Sequence, residues 1–399
     1  MIRINRVLTL LLLLAVCLNA AWADAISDFI DSRPVNASST SVLVRDLKTG
    51  NVVEAYNSDK PLIPASIMKS VTTATLLDKV GPKFKFETPV YLTGKIAGGV
   101  VSGNILVVAS GDPTINTSHA PKTPDFVAEI VSALRKAGIS RIEGSIVIDE
   151  SEFPGYAVNP KWGAGDLPHA YGTGTHGFNF EDNVNGKSSV KDPSGVFKTK
   201  LKKALADAGI TLGDATVDDG GAKKLLLKHS SATIDEIMRS CMMRSDNQFA
   251  ETMLRLVGLR YGGEGSSAKG AEEMYKFWKN RNADMADVVI VDGSGLSRSN
   301  RVTSTFMADM LQSMARNPYY ASFFPLAGQE GTLRHLMAGT RLEGYIAMKT
   351  GSMTGIQCYA GYKLDDEYMP THVIVIMMNE MGDRTAARKE VEKMLLQIF

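Results

Sequence analysis

The sequence predicts a mixed α/β fold interrupted by an inserted domain, and three observations carry that reading. Alternating apolar runs near both ends of the chain read as strands, helix patterns follow them, and residues 84 to about 225 differ in texture from their surroundings. The size permits this: 399 residues correspond to two or three domains by the rule of about 150 residues each, and 44% hydrophobic with 22% charged residues is ordinary globular composition. A net charge of +1, from 44 basic and 43 acidic residues, disfavours nucleic acid or an anionic membrane as a partner. Three cysteines with no Cys-x-x-Cys pair exclude a disulfide scaffold, a zinc ribbon and a thioredoxin-like site.

Taken in order, the chain opens with Arg3 and Arg6, the apolar run Val7 to Leu18 and the small-residue site Ala21-Trp22-Ala23, the pattern of a signal peptide spanning 1–23 and cleaved near Ala23. That run is too short for a permanent transmembrane helix, and no later stretch reaches the roughly 18 to 20 apolar residues a span needs. The expected location is therefore outside the cytoplasm, in the periplasm or on the outer face of the cytoplasmic membrane. Cleavage removes Cys17, and the remaining Cys241 and Cys358 read as two buried thiols.

Ser41 to Leu47 alternates, Lys48-Thr49-Gly50-Asn51 is turn chemistry, and Val52 to Tyr56 resumes the alternation, so a β-hairpin is expected. Ser66 to Val80 has no Gly or Pro, follows Pro64 and ends at Gly81-Pro82, which predicts a helix beginning at Ser66 or one residue earlier. The insert, 84–225, shows short strand-like pieces at Val100 to Ala109 and Ser145 to Asp149 and one helix from Asp125 to Ala137. Within it, Gly172-Thr173-Gly174-Thr175 lacks the Gly-Lys-Ser/Thr ending and the following helix of a phosphate loop. Thr233 to Glu236 fits a capping box opening a helix to about Met243, Gln248 to Arg260 is a second helix, and Arg244 to Asn247 lies between them. Ile346 to Ser352, Gln357 to Leu364 and Thr371 to Met378 read as strands, the last two as a hairpin, and Arg384 to Phe399 as a helix with Val391, Met394, Leu395 and Ile398 on one face.

A serine three residues before a lysine on a helix puts hydroxyl and amine on one face, within hydrogen-bond reach. Such a serine becomes a nucleophile if the lysine is neutral, which requires burial or a second positive charge beside it. A helix N-terminus further favours the oxyanion that follows. Ser-x-x-Lys occurs at Ser66, Ser188 and Ser266, but the last two lie in segments that read as loops. Of two Ser-x-Asn and two Lys-Thr-Gly occurrences, Ser102-Gly103-Asn104 and Lys48-Thr49-Gly50 are explained by turns. Ser66-Ile67-Met68-Lys69, Ser245-Asp246-Asn247 and Lys349-Thr350-Gly351 remain, in that order.

With these motifs the sequence resembles the penicillin-recognising serine acyltransferases, and among them the D-alanyl-D-alanine carboxypeptidases of the penicillin-binding protein 4 type, peptidase family S13. Gly111-Asp112-Pro113-Thr114, the Trp162 region, Asp292 to Ser297 and Pro325-Leu326-Ala327-Gly328 add to the likeness, as does the long insertion between the first two motifs. The short run from Asn183 to Val196 departs from larger members, which carry a further module there. The resemblance implies a transpeptidase/β-lactamase-like domain, an antiparallel sheet flanked by helices, built from 24–83 and 226–399 around a smaller α+β insert. It implies Ser66 as nucleophile, Lys69 as general base, Ser245 and Lys349 as the proton path to the leaving amine, and Asn247 as a hydrogen-bonding partner of the substrate amide. Thr350 with Lys349 would hold the substrate carboxylate, and Gly351-Ser352 would border the oxyanion hole, formed by the N–H groups of Ser66 and Ser352. The implied substrate is a peptidoglycan stem peptide ending in D-Ala-D-Ala, with β-lactam antibiotics as covalent inhibitors and no metal or cofactor. The rivals are a β-lactamase, for which no deacylating carboxylate stands out, and a non-catalytic peptidoglycan-binding module. Asp292 to Ser297 reads as a tight glycine turn outside the catalytic set, and His169 and His176 as structural.

Overall fold

In an antiparallel sheet with both faces covered, strands become apolar throughout, and the strands near the C-terminus are of that kind. The computed structural model describes residues 25–317 and 319–399, so the expected signal peptide lies outside the described residues. The chain forms two compact units. Among the described residues, the first holds those up to Val71 together with Trp278–Val289 and Arg298–Phe399, and the second holds Thr72–Phe277 and Ile290–Ser297. The expected insert, 84–225, falls inside the second unit, which also takes in 72–83, 226–277 and 290–297.

The first unit is a five-stranded antiparallel sheet in the order Ile346–Met353, Ile356–Leu364, Pro370–Met378, Thr40–Asp46, Val52–Tyr56. The first and last strands of the chain thus meet at the centre, with Thr40 opposite Met378. Val42, Val44, Ile374, Ile376 and Met378 bury one face against Phe29 and against Val391, Met394, Leu395 and Ile398 of the C-terminal helix Arg384–Ile398. The helix Ser304–Met314 packs against the two central strands and accepts a hydrogen bond from Tyr362 Oη at Leu311 O, 2.8 Å. The antiparallel sheet flanked by helices is therefore as expected.

The second unit contains two four-stranded mixed sheets, one ordered Lys223–Ser230, Glu87–Thr93, Ile105–Val108, Ile146–Asp149 and the other Thr211–Leu212, Arg141–Ile142, Val100–Ser102, Lys95–Ala97. Its largely aliphatic core contains an aromatic cluster: Phe126, Phe178, Phe180 and Phe197 pack ring against ring. Phe197 belongs to a helix, Pro193–Asp207, absent from the sequence reading, which has one helix in the insert. Its signal was local: Asp192 caps it through Gly195 N, Pro193 opens it, and Phe197, Leu201 and Leu205 recur at helical spacing on the buried face.

Two further differences touch the decoy motifs. Ser188 lies in a two-residue strand paired with Val184–Asn185. Ser266 is not in a loop interior; its Oγ accepts from Lys269 N at 3.1 Å and caps the helix Ser267–Lys279. The glycines that suggested a loop there serve close packing, since a Cβ on Gly270 would stand 2.1 Å from Leu254 O. The loop Gly172 to Thr175 is packed equally tightly: a Cβ on Gly172 would stand 2.0 Å from Asp166 O, and Asn183 Nδ2 donates to Gly174 O at 3.0 Å.

Candidate active site

Ser66 sits where the backbone is under strain. Ala65, just before it, has φ of 47°, a left-handed conformation that costs a residue with a Cβ about 1–3 kcal/mol and concentrates at functional sites. Helical structure begins there as a 3₁₀ turn, Ala65–Ile67, and passes into the α-helix Met68–Val80. Ser66 therefore lies on the tight opening turn and Lys69 in the first α-helical turn. Lys69 Nζ is 2.9 Å from Ser66 Oγ, and the lysine is fully buried, with Ile67, Met68 and Val71 buried beside it in sequence. Burial is the environment that a neutral amine requires.

The strand Ile346–Met353 is the sheet edge next to this turn. A Cβ on Gly351 would stand 2.5 Å from Pro64 O, 3.0 Å from Ser66 N and 3.1 Å from Ile67 N, so only glycine lets strand and turn approach so closely. Lys349, fully buried, donates to Thr350 O at 2.7 Å. Thr350 Oγ1 donates to Thr332 Oγ1 at 2.8 Å, and Ser352 Oγ donates to Gln357 Oε1 at 2.6 Å. Ser66, Lys69, Lys349, Thr350, Gly351 and Ser352 are thus gathered in the first unit. An edge strand is also where an extended peptide can add its own backbone hydrogen bonds.

Ser245 and Asn247 belong to the second unit, between the helices Ile234–Arg244 and Asn247–Gly262. The Thr233–Glu236 capping box opens the first of these, with Glu236 Oε2 accepting from Thr233 N at 2.9 Å. Ser245 ends it in a left-handed conformation, φ 61°, and Asp246 caps the next through Oδ1 and Phe249 N at 2.9 Å. Asn247 Nδ2 donates to Tyr171 O at 2.7 Å, which orients the side-chain amide. Tyr171 was not singled out from sequence, where nothing links it to a residue 76 positions away.

Ser266-x-x-Lys269 is unsuited to the same chemistry. Lys269 Nζ lies 3.1 Å from Glu272 and 3.2 Å from Glu273, and the bond to Glu272 first of all holds its pKa above the usual lysine value. Asp292 to Ser297 is the tight turn the sequence indicated: buried Asp292 accepts from Gly295 N at 2.8 Å and Ser297 N at 2.6 Å. The turn is also tied to Trp162, whose Nε1 donates to Asp292 Oδ2 at 2.8 Å. His169 stacks on Tyr171 at 5.3 Å, and burial lowers the pKa of His176. Cys241 and Cys358 are buried thiols, not joined in a disulfide.

A serine hydrogen-bonded to a buried lysine, on a turn held against a sheet edge, is an arrangement able to support acyl transfer through a serine ester. The chain belongs to the D-Ala-D-Ala carboxypeptidase 3 (S13) family, which it matches over residues 23–186 and 182–398. The activity that goes with this membership is that of a D-Ala-D-Ala carboxypeptidase. The chain is 24% identical to a D-alanyl-D-alanine carboxypeptidase from an Actinomadura species, covering 84% of this chain and 77% of that one. In fold it is similar to penicillin binding protein 4 from Haemophilus influenzae, with a TM-score of 0.80, 21% identity and coverage of 93% and 98% of the two chains. A β-lactam complex of that protein matches with a TM-score of 0.73 and 22% identity over 94% and 98%.

Proposed function

We propose that the protein removes the terminal D-Ala from peptidoglycan stem peptides ending in D-Ala-D-Ala, through an ester on Ser66. Lys69 takes the proton as Ser66 Oγ attacks the carbonyl carbon of the penultimate D-Ala. The oxyanion is held by the N–H groups of Ser66 and Ser352, bordered by Gly351. As the C–N bond breaks, Ser245 and Lys349 pass that proton from Lys69 to the leaving amine, and Asn247 hydrogen-bonds the substrate amide. Lys349 and Thr350 hold the terminal carboxylate. Water then hydrolyses the ester: its oxygen bonds the acyl carbon as the bond to Ser66 Oγ breaks, and its proton passes through Lys69 to Ser66 Oγ, releasing the shortened peptide. The observation that carries this reading is the 2.9 Å contact between Ser66 Oγ and fully buried Lys69 Nζ.

Penicillins react at the same serine, but their leaving amine stays tethered by the opened ring, so the ester persists. The signal-peptide pattern of residues 1–23 and the family's cell-wall substrate support an exported, periplasmic enzyme. Among the described residues, no helix is long and apolar enough to cross a membrane. Cleavage of D-Ala-containing cross-links is a second reaction open to the same machinery.

The test is labelling with a fluorescent penicillin. The unsubstituted protein is expected to take a long-lived label, Ser66→Ala none, and Lys69→Ala a label that forms about 100-fold or more slowly with the fold retained. Equal labelling of Ser66→Ala sinks the assignment of the nucleophile. Rapid catalytic turnover of penicillin would instead favour a β-lactamase.

A further inference from the structure

The carboxylate of Asp246, the middle residue of Ser245-Asp246-Asn247, is used twice. Oδ1 caps the helix Asn247–Gly262 through Phe249 N at 2.9 Å, and Oδ2 is 2.6 Å from His119 Nδ1. His119 comes from a loop 127 positions earlier in the chain. Its side chain is one-quarter exposed and that of Asp246 about one-tenth. The loop is anchored from both sides. Ser240 Oγ, on the helix Ile234–Arg244, donates to His119 O, and Thr117 Oγ1 accepts from His119 N at 2.9 Å. Thr117 Oγ1 in turn donates to Asp182, whose other oxygen accepts from Ser118 N at 3.1 Å and Ser118 Oγ at 3.0 Å.

We infer that His119 is a positioning residue for the reaction proposed above: paired to Asp246, it holds the turn that presents Ser245 and Asn247. The turn needs such a brace because Ser245 is left-handed, with φ 61°, and Asp246 N reaches Cys241 O at 3.1 Å only while that conformation lasts. Without His119, Asp246 keeps its cap but loses the tether to the loop at 117–119. The charged groups facing the imidazole are Asp246 at 2.6 Å, Asp182 at 3.7 Å from the turn Glu181–Asn183, and Arg244 from the end of the preceding helix. Glu181, in the same turn as Asp182, is engaged by Lys200. The hydrogen bond to Asp246, and secondarily both carboxylates, raise the His119 pKa against burial and Arg244. The charged pair is therefore complete below the free imidazole value of about 6.5 and dissolves as pH rises through the raised value.

The inference rests on the serine mechanism, and the experiment separates the two. Penicillin acylation rates and unfolding midpoints are measured for the unsubstituted chain, His119→Ala, Asp246→Asn and the double variant, with Ser66→Ala as the unlabelled control. Asparagine can still cap the helix but cannot pair with a charged imidazole. Acylation is expected to slow about 10- to 100-fold in either single variant, with no further loss in the double. The ratio of unsubstituted to His119→Ala rates should shrink as pH rises through the His119 pKa. A His119→Ala rate equal to that of the unsubstituted chain at every pH overturns the inference, as does full additivity in the double variant. If the unsubstituted chain takes no label, the serine mechanism fails and hydrogen exchange at the amides of Asp246 and Phe249 decides. Faster exchange in His119→Ala supports the tether, and unchanged exchange refutes it.

Discussion

Gly351→Ala adds one methyl group at the closest approach between the edge strand Ile346–Met353 and the turn that carries Ser66. The new carbon would stand 2.5 Å from Pro64 O, 3.0 Å from Ser66 N and 3.1 Å from Ile67 N. All three neighbours are backbone atoms, so no side chain can rotate away. Strand or turn must move until the first contact opens to at least 3.0 Å, and to 3.4 Å for ordinary contact. Gly351 has no left-handed φ, so the cost is steric alone. Overpacking of this kind costs about 1–3 kcal/mol of stability. The catalytic cost follows from geometry, because productive positions tolerate about 0.5 Å and a 1 Å misplacement costs about 100-fold. Acylation of Ser66 by a fluorescent penicillin should therefore slow about 10- to 100-fold, equivalent to roughly 1.4–2.7 kcal/mol in the barrier. Gly165→Ala is the control, since nothing lies within 4 Å of its Cβ position and its φ is ordinary. It should leave rate and unfolding midpoint unchanged. If Gly351→Ala acylates at the unsubstituted rate with an unchanged midpoint, the strand does not abut the Ser66 turn as described.

Asp292→Ala leaves Trp162 Nε1, Gly295 N and Ser297 N without their carboxylate acceptor in a buried turn. At about 1–3 kcal/mol for each orphaned donor, urea unfolding should show a loss of roughly 3 kcal/mol or more, and a change under 1 kcal/mol would contradict the packing described. Burial raises the Cys358 thiol to about 12, and Cys241 is also buried, so neither should react with a thiol reagent at pH 8 until the protein is unfolded. Rapid native-state modification of Cys358 would show that its strand is open to solvent.

Elements whose signals are local were legible. Turn residues at 48–51 matched the hairpin register, and the N-cap and Glu236 of the Thr233 box matched the helix start. Glycine misled where it serves close approach rather than flexibility. Gly270 suggested a loop yet lies inside a helix packed on Leu254, and Pro193–Asp207 was masked by the polar stretch before it. Ser66 and Lys69 were readable because a three-residue spacing on a helix fixes their separation, and the structure returns 2.9 Å. His119 was not, because 127 residues lie between it and Asp246 and no spacing rule spans such a gap.

What the sequence determined by itself was therefore what short-range covalent geometry dictates: the strand and helix periods, the caps, and a serine and a lysine one turn apart. Tertiary structure alone decided the strained Ala65, the contact of Gly351 with the Ser66 turn, the Trp162–Asp292 bond and the His119–Asp246 tether. The last three depend on segments distant in the chain closing to contact distance, and packing density and buried hydrogen bonding decide that closure rather than the order of residues in any one window.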